Sequence, residues 1–301
     1  MEILNYESAI RGDFGPQKKQ EWEQYKRYET QRLNQYPIEE FDPDIIKITD
    51  EIEENSYVIL KNAFDTSLLD ELRDEVNHMM ENGLNQKPMA GALVGREEDI
   101  KDKCLWATIN QPLITTKSTL KIFTHDILVT IAAHYFKCLP TLGTLNLRRS
   151  FANDLKDEHT LLFHQDPNSP NFLKAFLYLN DVDENGGPFC IVKGSHKNKL
   201  KTSYNKYHYT NEEIEEIYGK ENVKYLTANY GDIIIANTNA FHRGTKATSN
   251  HRTMLTLDYG VHPEMFKNPS TIVRSGDVDA LPEWKRPLCD FFQKAPQNFQ
   301  L

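Results

Sequence analysis

Two side chains able to bind a metal stand two residues apart in Phe163-His164-Gln165-Asp166, ahead of the apolar run Phe172-Leu173-Lys174-Ala175-Phe176-Leu177-Tyr178-Leu179. In extended backbone, side chains at i and i+2 lie on one face. An imidazole nitrogen of His164 and a carboxylate oxygen of Asp166 can therefore aim at one point. A second histidine from a distant part of the chain would complete a set of two imidazoles and one carboxylate. Gathered on one side of a metal, that set is the facial triad of non-haem Fe(II) oxygenases, and it leaves the opposite side open for substrate and O2.

The elements that must hold such a point can be read from apolar periodicity and turn residues. The first 50 or so residues are polar, and Gln17 to Arg27 mixes charges and aromatics as a surface helix would, docked in part through Trp22 and Tyr25. Ser56 to Leu60 reads as a short strand. Leu68, Leu69, Leu72, Val76, Met79 and Met80 recur at helical spacing, opened by a cap at Ser67 and Asp70 and closed by Asn82-Gly83. Residues 84–115 have no clear period and are expected to form a lid or cavity wall. One further helix is expected across 118–136, carrying His125 and His134 as packing or surface residues and ended by Pro140.

From Leu145 the pattern turns to strands: Leu145 to Phe151, Thr160 to His164, and the run from Phe172. Asp181 to Pro188 is dense in turn formers, so Asp183 and Glu184 read as solvated loop charges rather than an acid–base pair; Phe189 to Val192 returns. Thr210-x-x-Glu213 is a capping box for a short helix ending near Gly219, inside an excursion between strands. Tyr230-Gly231-Asp232 turns into Ile233-Ile234-Ile235-Ala236, which delivers Phe241-His242-Arg243-Gly244. In the next strand, Arg252 to Tyr259, residues Arg252, Met254 and Thr256 share one face. Consecutive strands joined by turns indicate a mainly β fold with flanking helices, an antiparallel sandwich or jelly roll. The division expected is a helical extension over 1–50, the β domain over 51–270 and a tail over 271–301 packed on that domain.

Composition narrows the class. The chain has 301 residues, 39% of them hydrophobic and 26% charged, enough to bury the core of a soluble enzyme. A net charge of -9 argues against general affinity for nucleic acid or anionic membranes. No apolar stretch approaches a membrane span and the first residues lack a secretory signal, which points to a cytoplasmic protein. Cys104, Cys138, Cys190 and Cys289 are widely separated, so neither a thiolate metal site nor a disulfide framework is expected.

His164-x-Asp166, His242 after 76 residues and Arg252 after ten more resemble the Fe(II)- and 2-oxoglutarate-dependent dioxygenases. Within them, the sequence is similar to the phytanoyl-CoA dioxygenase family over roughly residues 52–262. Asn185-Gly186-Gly187-Pro188-Phe189, Lys193-Gly194-Ser195-His196-Lys197 and Gly231-Asp232 ahead of Phe241-His242 support the likeness. The resemblance implies a double-stranded β-helix, cupin-like, with Fe(II) held by His164, Asp166 and His242. It implies 2-oxoglutarate chelated to the metal, its distal carboxylate on the planar fork of Arg252, and Asn146 and Phe176 along the cosubstrate wall. O2 would be the second cosubstrate, with ascorbate as a supporting reductant. Relatives often carry a hydroxyl residue two positions after the distal histidine, where this chain has Gly244; Thr245 or Thr256 would then supply that contact. Related halogenases replace the metal-binding carboxylate with a small residue, so Asp166 favours hydroxylation.

The remaining histidines have structural roles by the same reading: His159 at a strand entrance, His196 in the family's Gly-Ser-His turn, and His251 on the face opposite Arg252. Strand parity puts Arg148 beside Asn146, and Lys174 and Tyr178 beside Phe176. A cavity with two cations and a phenol suits a small polar substrate such as a sugar acid, amino acid or natural-product intermediate. The alternatives are an acyl-CoA substrate with the same chemistry, a cupin-like binding module that turns nothing over, or hydrolysis at a zinc site built from the same triad, which would need no O2.

Overall fold

In the computed structural model, the described residues are 3–5, 16–36, 42–82, 96–109, 113–114, 117–156, 159–166, 171–200, 206–261 and 271–296. Nine strands build the centre: β1 Tyr57–Leu60, β2 Trp106–Ile109, β3 Thr141–Ser150, β4 Phe172–Tyr178, β5 Phe189–Val192, β6 Val223–Leu226, β7 Ile233–Ala236, β8 His242–Gly244 and β9 Arg252–Gly260. Six form one antiparallel sheet in the order β1-β7-β4-β9-β3-β2. The other three form a smaller antiparallel sheet, β8-β5-β6.

Side-chain alternation gives the large sheet two apolar faces with different jobs. Leu145, Leu147, Leu173, Ala175, Leu177, Ile233, Ile235, Leu255 and Leu257 point outward and share a core with Ile52, Leu72, Val76, Phe123 and Ile131 from the covering helices. Fully burying each leucine or isoleucine is worth roughly 1.5–3 kcal/mol, so this layer holds most of the folding energy. The intervening residues Phe176, Tyr178, Ile234, Ala236 and Met254 point inward and meet Phe189, Ile191 and Leu226 of the small sheet. The space between the sheets is therefore only partly filled by apolar groups, and its polar inner residues form the site described below.

Several expectations are corrected. Residues 118–136 form two helices, Lys117–Phe123 and Asp126–Phe136, because His125 adopts extended backbone (ψ 136°) and turns the chain between them. Residues 84–115 are not all loop: where described, they include the helix Glu97–Ile100, Leu113–Ile114 and β2, which pairs with β3 at the sheet edge. A strand of four residues is too short to print a period. Thr160 to His164 is not a ladder strand. His159–Leu161 is a 3-10 turn, followed by single bridges Phe163–Tyr209 and His164–His242.

At the N-terminal side, the helix is longer than the charge pattern suggested, Pro16–Gln35, and a second helix, Pro43–Asn55, runs across residue 50. The side chains of Trp22 and Tyr25 lie outside the described ones. The visible anchor is Arg32, buried at 6% exposure. It donates to the carbonyls of Leu139, Pro140 and Pro287 and pairs with Asp290. The C-terminal residues Val273, Val278, Leu288, Cys289 and Phe292 join the outer core. All four cysteines are buried thiols. Among the described residues no helix is long and apolar enough to cross a membrane.

Arg32 thus satisfies three buried or partly buried carbonyls from two distant segments at once. Arg32→Ala is expected to cost about 3 kcal/mol, since each carbonyl left without a donor carries its own desolvation penalty. Urea unfolding checks this, and a loss below about 0.5 kcal/mol would show that the N-terminal helix is not held there.

Candidate metal centre

His164 and His242 lie 78 residues apart in the sequence, and the backbone brings them face to face. His164 N donates to His242 O at 3.0 Å and His242 N donates to His164 O at 2.9 Å. Two residues on, Asp166 N donates to Thr238 O at 3.0 Å. The imidazole centroids are 4.4 Å apart. One ligand atom from each of His164, Asp166 and His242 lies within 4.8 Å of the other two, a spacing that could hold a metal ion.

The orientation of the rings matters as much as their proximity. His164 Nδ1 lies 2.8 Å from Leu162 O and His242 Nδ1 lies 2.9 Å from Ala240 O. A carbonyl only accepts, so each Nδ1 carries the proton and each Nε2 keeps its lone pair. Both Nε2 atoms face the carboxylate, at 3.9 Å from Asp166 Oδ1 for His164 and 3.5 Å from Oδ2 for His242. Burial lowers both imidazole pKa values, that of His242 to about 3, so the rings are neutral at pH 7, the form in which they ligate. Burial alone would raise the Asp166 carboxyl; the Lys174 ammonium, 2.8 Å away, opposes it and holds the group ionised. Two lone pairs and one carboxylate converging at one point are the donor set that suits Fe(II), and the residues fit that metal.

The wall around this point is graded. Phe176 stacks on Phe189 at 4.4 Å, and Phe189 lies 5.6 Å from His242, an apolar side. Asn146 faces inward from β3, opposite Thr256 of β9. Arg252 is buried at 2% exposure; it donates through Nη1 to Gly187 O and through Nη2 to Ser150 Oγ at 3.4 Å. Gly187 has φ +75°, and a Cβ there would meet Thr245 O at 2.7 Å, so the Gly186-Gly187-Pro188 turn needs glycine to bring that carbonyl to Arg252. A Cβ at Gly244 would stand 3.5 Å from Arg252 Nη2 and 3.3 Å from Leu161. Arg252 Nη2 thus lies beside this position, at ordinary contact distance from a Cβ. Of the substitutes expected for the missing hydroxyl, Thr245 already donates to Pro188 O at 2.6 Å, while Thr256 lines the wall beside Asn146 and Phe176.

His196 and His134 stand apart from the centre. His196 is buried against Ser56 Oγ at 2.6 Å, and Ser195 Oγ accepts from Phe241 N, so this turn braces the strand that carries His242. His134 bonds Thr49. Two site residues escaped the sequence reading. His208, exposed, lies 6.2 Å from His164 and nothing in its neighbourhood of the sequence marks it. Asp258 continues the inward face of Arg252, Met254 and Thr256, so strand parity carried one step further would have found it. It is buried at 4% exposure opposite Lys174 in the register.

Burial first, opposed by Lys174 and assisted by Asp166, raises the Asp258 carboxyl to about 6. Its unfolded value is about 4, so the folded state holds the proton more tightly and stability falls as pH rises from about 4 through 6. Asp258→Asn removes that loss. Its stability relative to the unmodified protein is expected to improve by about 2 kcal/mol between pH 4.5 and 7 in metal-free urea unfolding. A pH-independent difference would contradict the assignment.

The model of the phytanoyl-CoA dioxygenase family matches residues 52–254. The comparison with curated protein sequences returned no match. Among solved structures, EctD from S. alaskensis with bound Fe aligns at 12% identity over 88% of this chain and 94% of its own, with a TM-score of 0.57. The epimerase SnoN in complex with Fe3+, alpha ketoglutarate and nogalamycin RO aligns at 14% identity over 73% and 84%, with a TM-score of 0.55. HygX from Streptomyces hygroscopicus, with nickel, 2-oxoglutarate and hygromycin B, aligns at 14% identity over 73% and 87%, with a TM-score of 0.50. These likenesses show a shared fold, the double-stranded β-helix.

Proposed function

The chain belongs to the phytanoyl-CoA dioxygenase family and is a non-haem Fe(II)- and 2-oxoglutarate-dependent dioxygenase; from that premise we propose that it hydroxylates a small polar metabolite, with release of succinate and CO2. In this reading His164, Asp166 and His242 hold the metal, and Arg252 holds the distal carboxylate of 2-oxoglutarate with Asn146 and Phe176 along its side. The observation that carries the reading is the shared aim of the two Nε2 lone pairs at the Asp166 carboxylate.

The protein's own groups prepare the site before any ligand enters. The carbonyls of Leu162 and Ala240 fix the tautomer of each imidazole, so the rings bind metal without first losing a proton or turning. Arg252 is held by Gly187 O and Ser150 Oγ, which orients its planar fork toward a carboxylate. Phe176 and Phe189 exclude water from the apolar side, which strengthens every charge interaction within. When bound, Fe(II) supplies the redox chemistry that couples oxidative decarboxylation of 2-oxoglutarate to oxidation of a substrate C–H bond. Asp166 in the carboxylate position supports hydroxylation over halogenation. The polar inner residues Arg148, Lys174 and Asp258 support a polar substrate over an acyl chain.

Succinate release across a metabolite library, under air and under nitrogen, tests this. Release is expected only with O2 and Fe(II), and His164→Ala is expected to abolish it. Arg252→Ala is expected to raise the KM for 2-oxoglutarate on the order of 10–100-fold, the loss of one or two charge-assisted hydrogen bonds. Turnover that persists under nitrogen would sink the reading.

A further inference from the structure

Among the described residues, three cations face the inside of the barrel, and two of them are matched. Lys174 of β4 lies 2.8 Å from Asp166 Oδ2 and opposite Asp258 in the register. Arg252 is matched by the distal carboxylate of 2-oxoglutarate in the function proposed above, on which this argument rests. Arg148 of β3 is different. Its Nη1 donates to Thr160 Oγ1 at 3.2 Å and its guanidinium lies over the Trp106 ring at 4.9 Å, both neutral partners. Among the described residues no carboxylate pairs with it.

Its surroundings say what could. The charge lies deep enough for burial, and then Arg252, to lower its pKa to about 10, yet the residue keeps some accessible surface. That surface leaves the guanidinium open to a ligand. A buried charge is costly unless matched, and a guanidinium stacked on an aromatic ring keeps its edge donors in a fixed plane, as carboxylate recognition requires. Arg148 shares the inward face of Asn146, and its field reaches Asp166, so a ligand on it lies within reach of the metal position. A carboxylate, planar and able to accept two parallel hydrogen bonds, matches the guanidinium fork.

We propose that Arg148 seats a carboxylate of the substrate, so that the substrate class is an organic acid with one uncompensated carboxylate beside the carbon to be oxidised. The cosubstrate does not need this residue, since its two carboxylates are taken by the metal and by Arg252.

Matched acid and amide probes decide the matter: benzoate with benzamide, and 4-hydroxyphenylacetate with its amide. Binding is measured by calorimetry under nitrogen, on protein loaded with Fe(II) and 2-oxoglutarate. Acids are expected to bind about tenfold more tightly than amides, a preference lost in Arg148→Gln, while the Kd for 2-oxoglutarate stays within about threefold of the unmodified value. Arg252→Gln is expected to show the reverse, with 2-oxoglutarate weakened and the acid preference kept. The compounds that stimulate succinate release in the library are expected to be acids. That readout and the acid preference use the unmodified protein, so they stand even where Arg148→Gln does not fold. Equal binding of acids and amides, stimulation by neutral or cationic compounds, or a large loss of 2-oxoglutarate affinity in Arg148→Gln would each overturn the proposal. Failure of the dioxygenase reading looks different, because the unmodified protein would then bind no 2-oxoglutarate.

Discussion

The site depends on one short pairing. His164 and His242 exchange both of their backbone hydrogen bonds, and no other ladder joins their segments. A ladder of many residues would fix its register by repetition; a single bridge must be held by what surrounds it. Here the brace is local and polar. Ser195 Oγ receives Phe241 N, Gln165 Nε2 reaches Asn239 O at 2.6 Å, and Asp166 N reaches Thr238 O. The turn that carries Ser195 also buries His196 against Ser56, at the end of the helix Pro43–Asn55. An imidazole that binds no metal therefore helps to place two that can.

The large sheet divides its labour by parity. Its outward side chains supply the hydrophobic energy and its inward ones are left free to carry charge. That separation lets Arg148, Lys174, Arg252, Asp166 and Asp258 occupy one interior without the fold collapsing around them. Unpaired, each would cost several kcal/mol. Lys174 between two carboxylates, and Arg252 between a carbonyl and a hydroxyl, show how the cost is offset before any ligand arrives. A hydrophobic outer face strong enough to tolerate this arrangement is part of the site's chemistry.

Much of the β domain was legible in the sequence because its signals are local. Apolar runs marked β4 and β7, alternation marked β9, the capping box marked the helix Asn211–Tyr218, and the facial pair His164-x-Asp166 follows from the geometry of extended backbone. His242 and Arg252 were singled out by the family resemblance that chain order and residue type carry. Other features depended on neighbours that no local pattern records. The break at His125, the edge strand at Trp106 and the docking of Arg32 are set by packing between segments up to 258 residues apart. The same is true of the ring tautomers, of Asp258 opposite Lys174 and of Arg148 over Trp106. Sequence by itself determined which residues could do the chemistry, because that depends on side-chain type and backbone periodicity. Only the tertiary structure decided which charges are matched, because burial and pairing are properties of distances between strands.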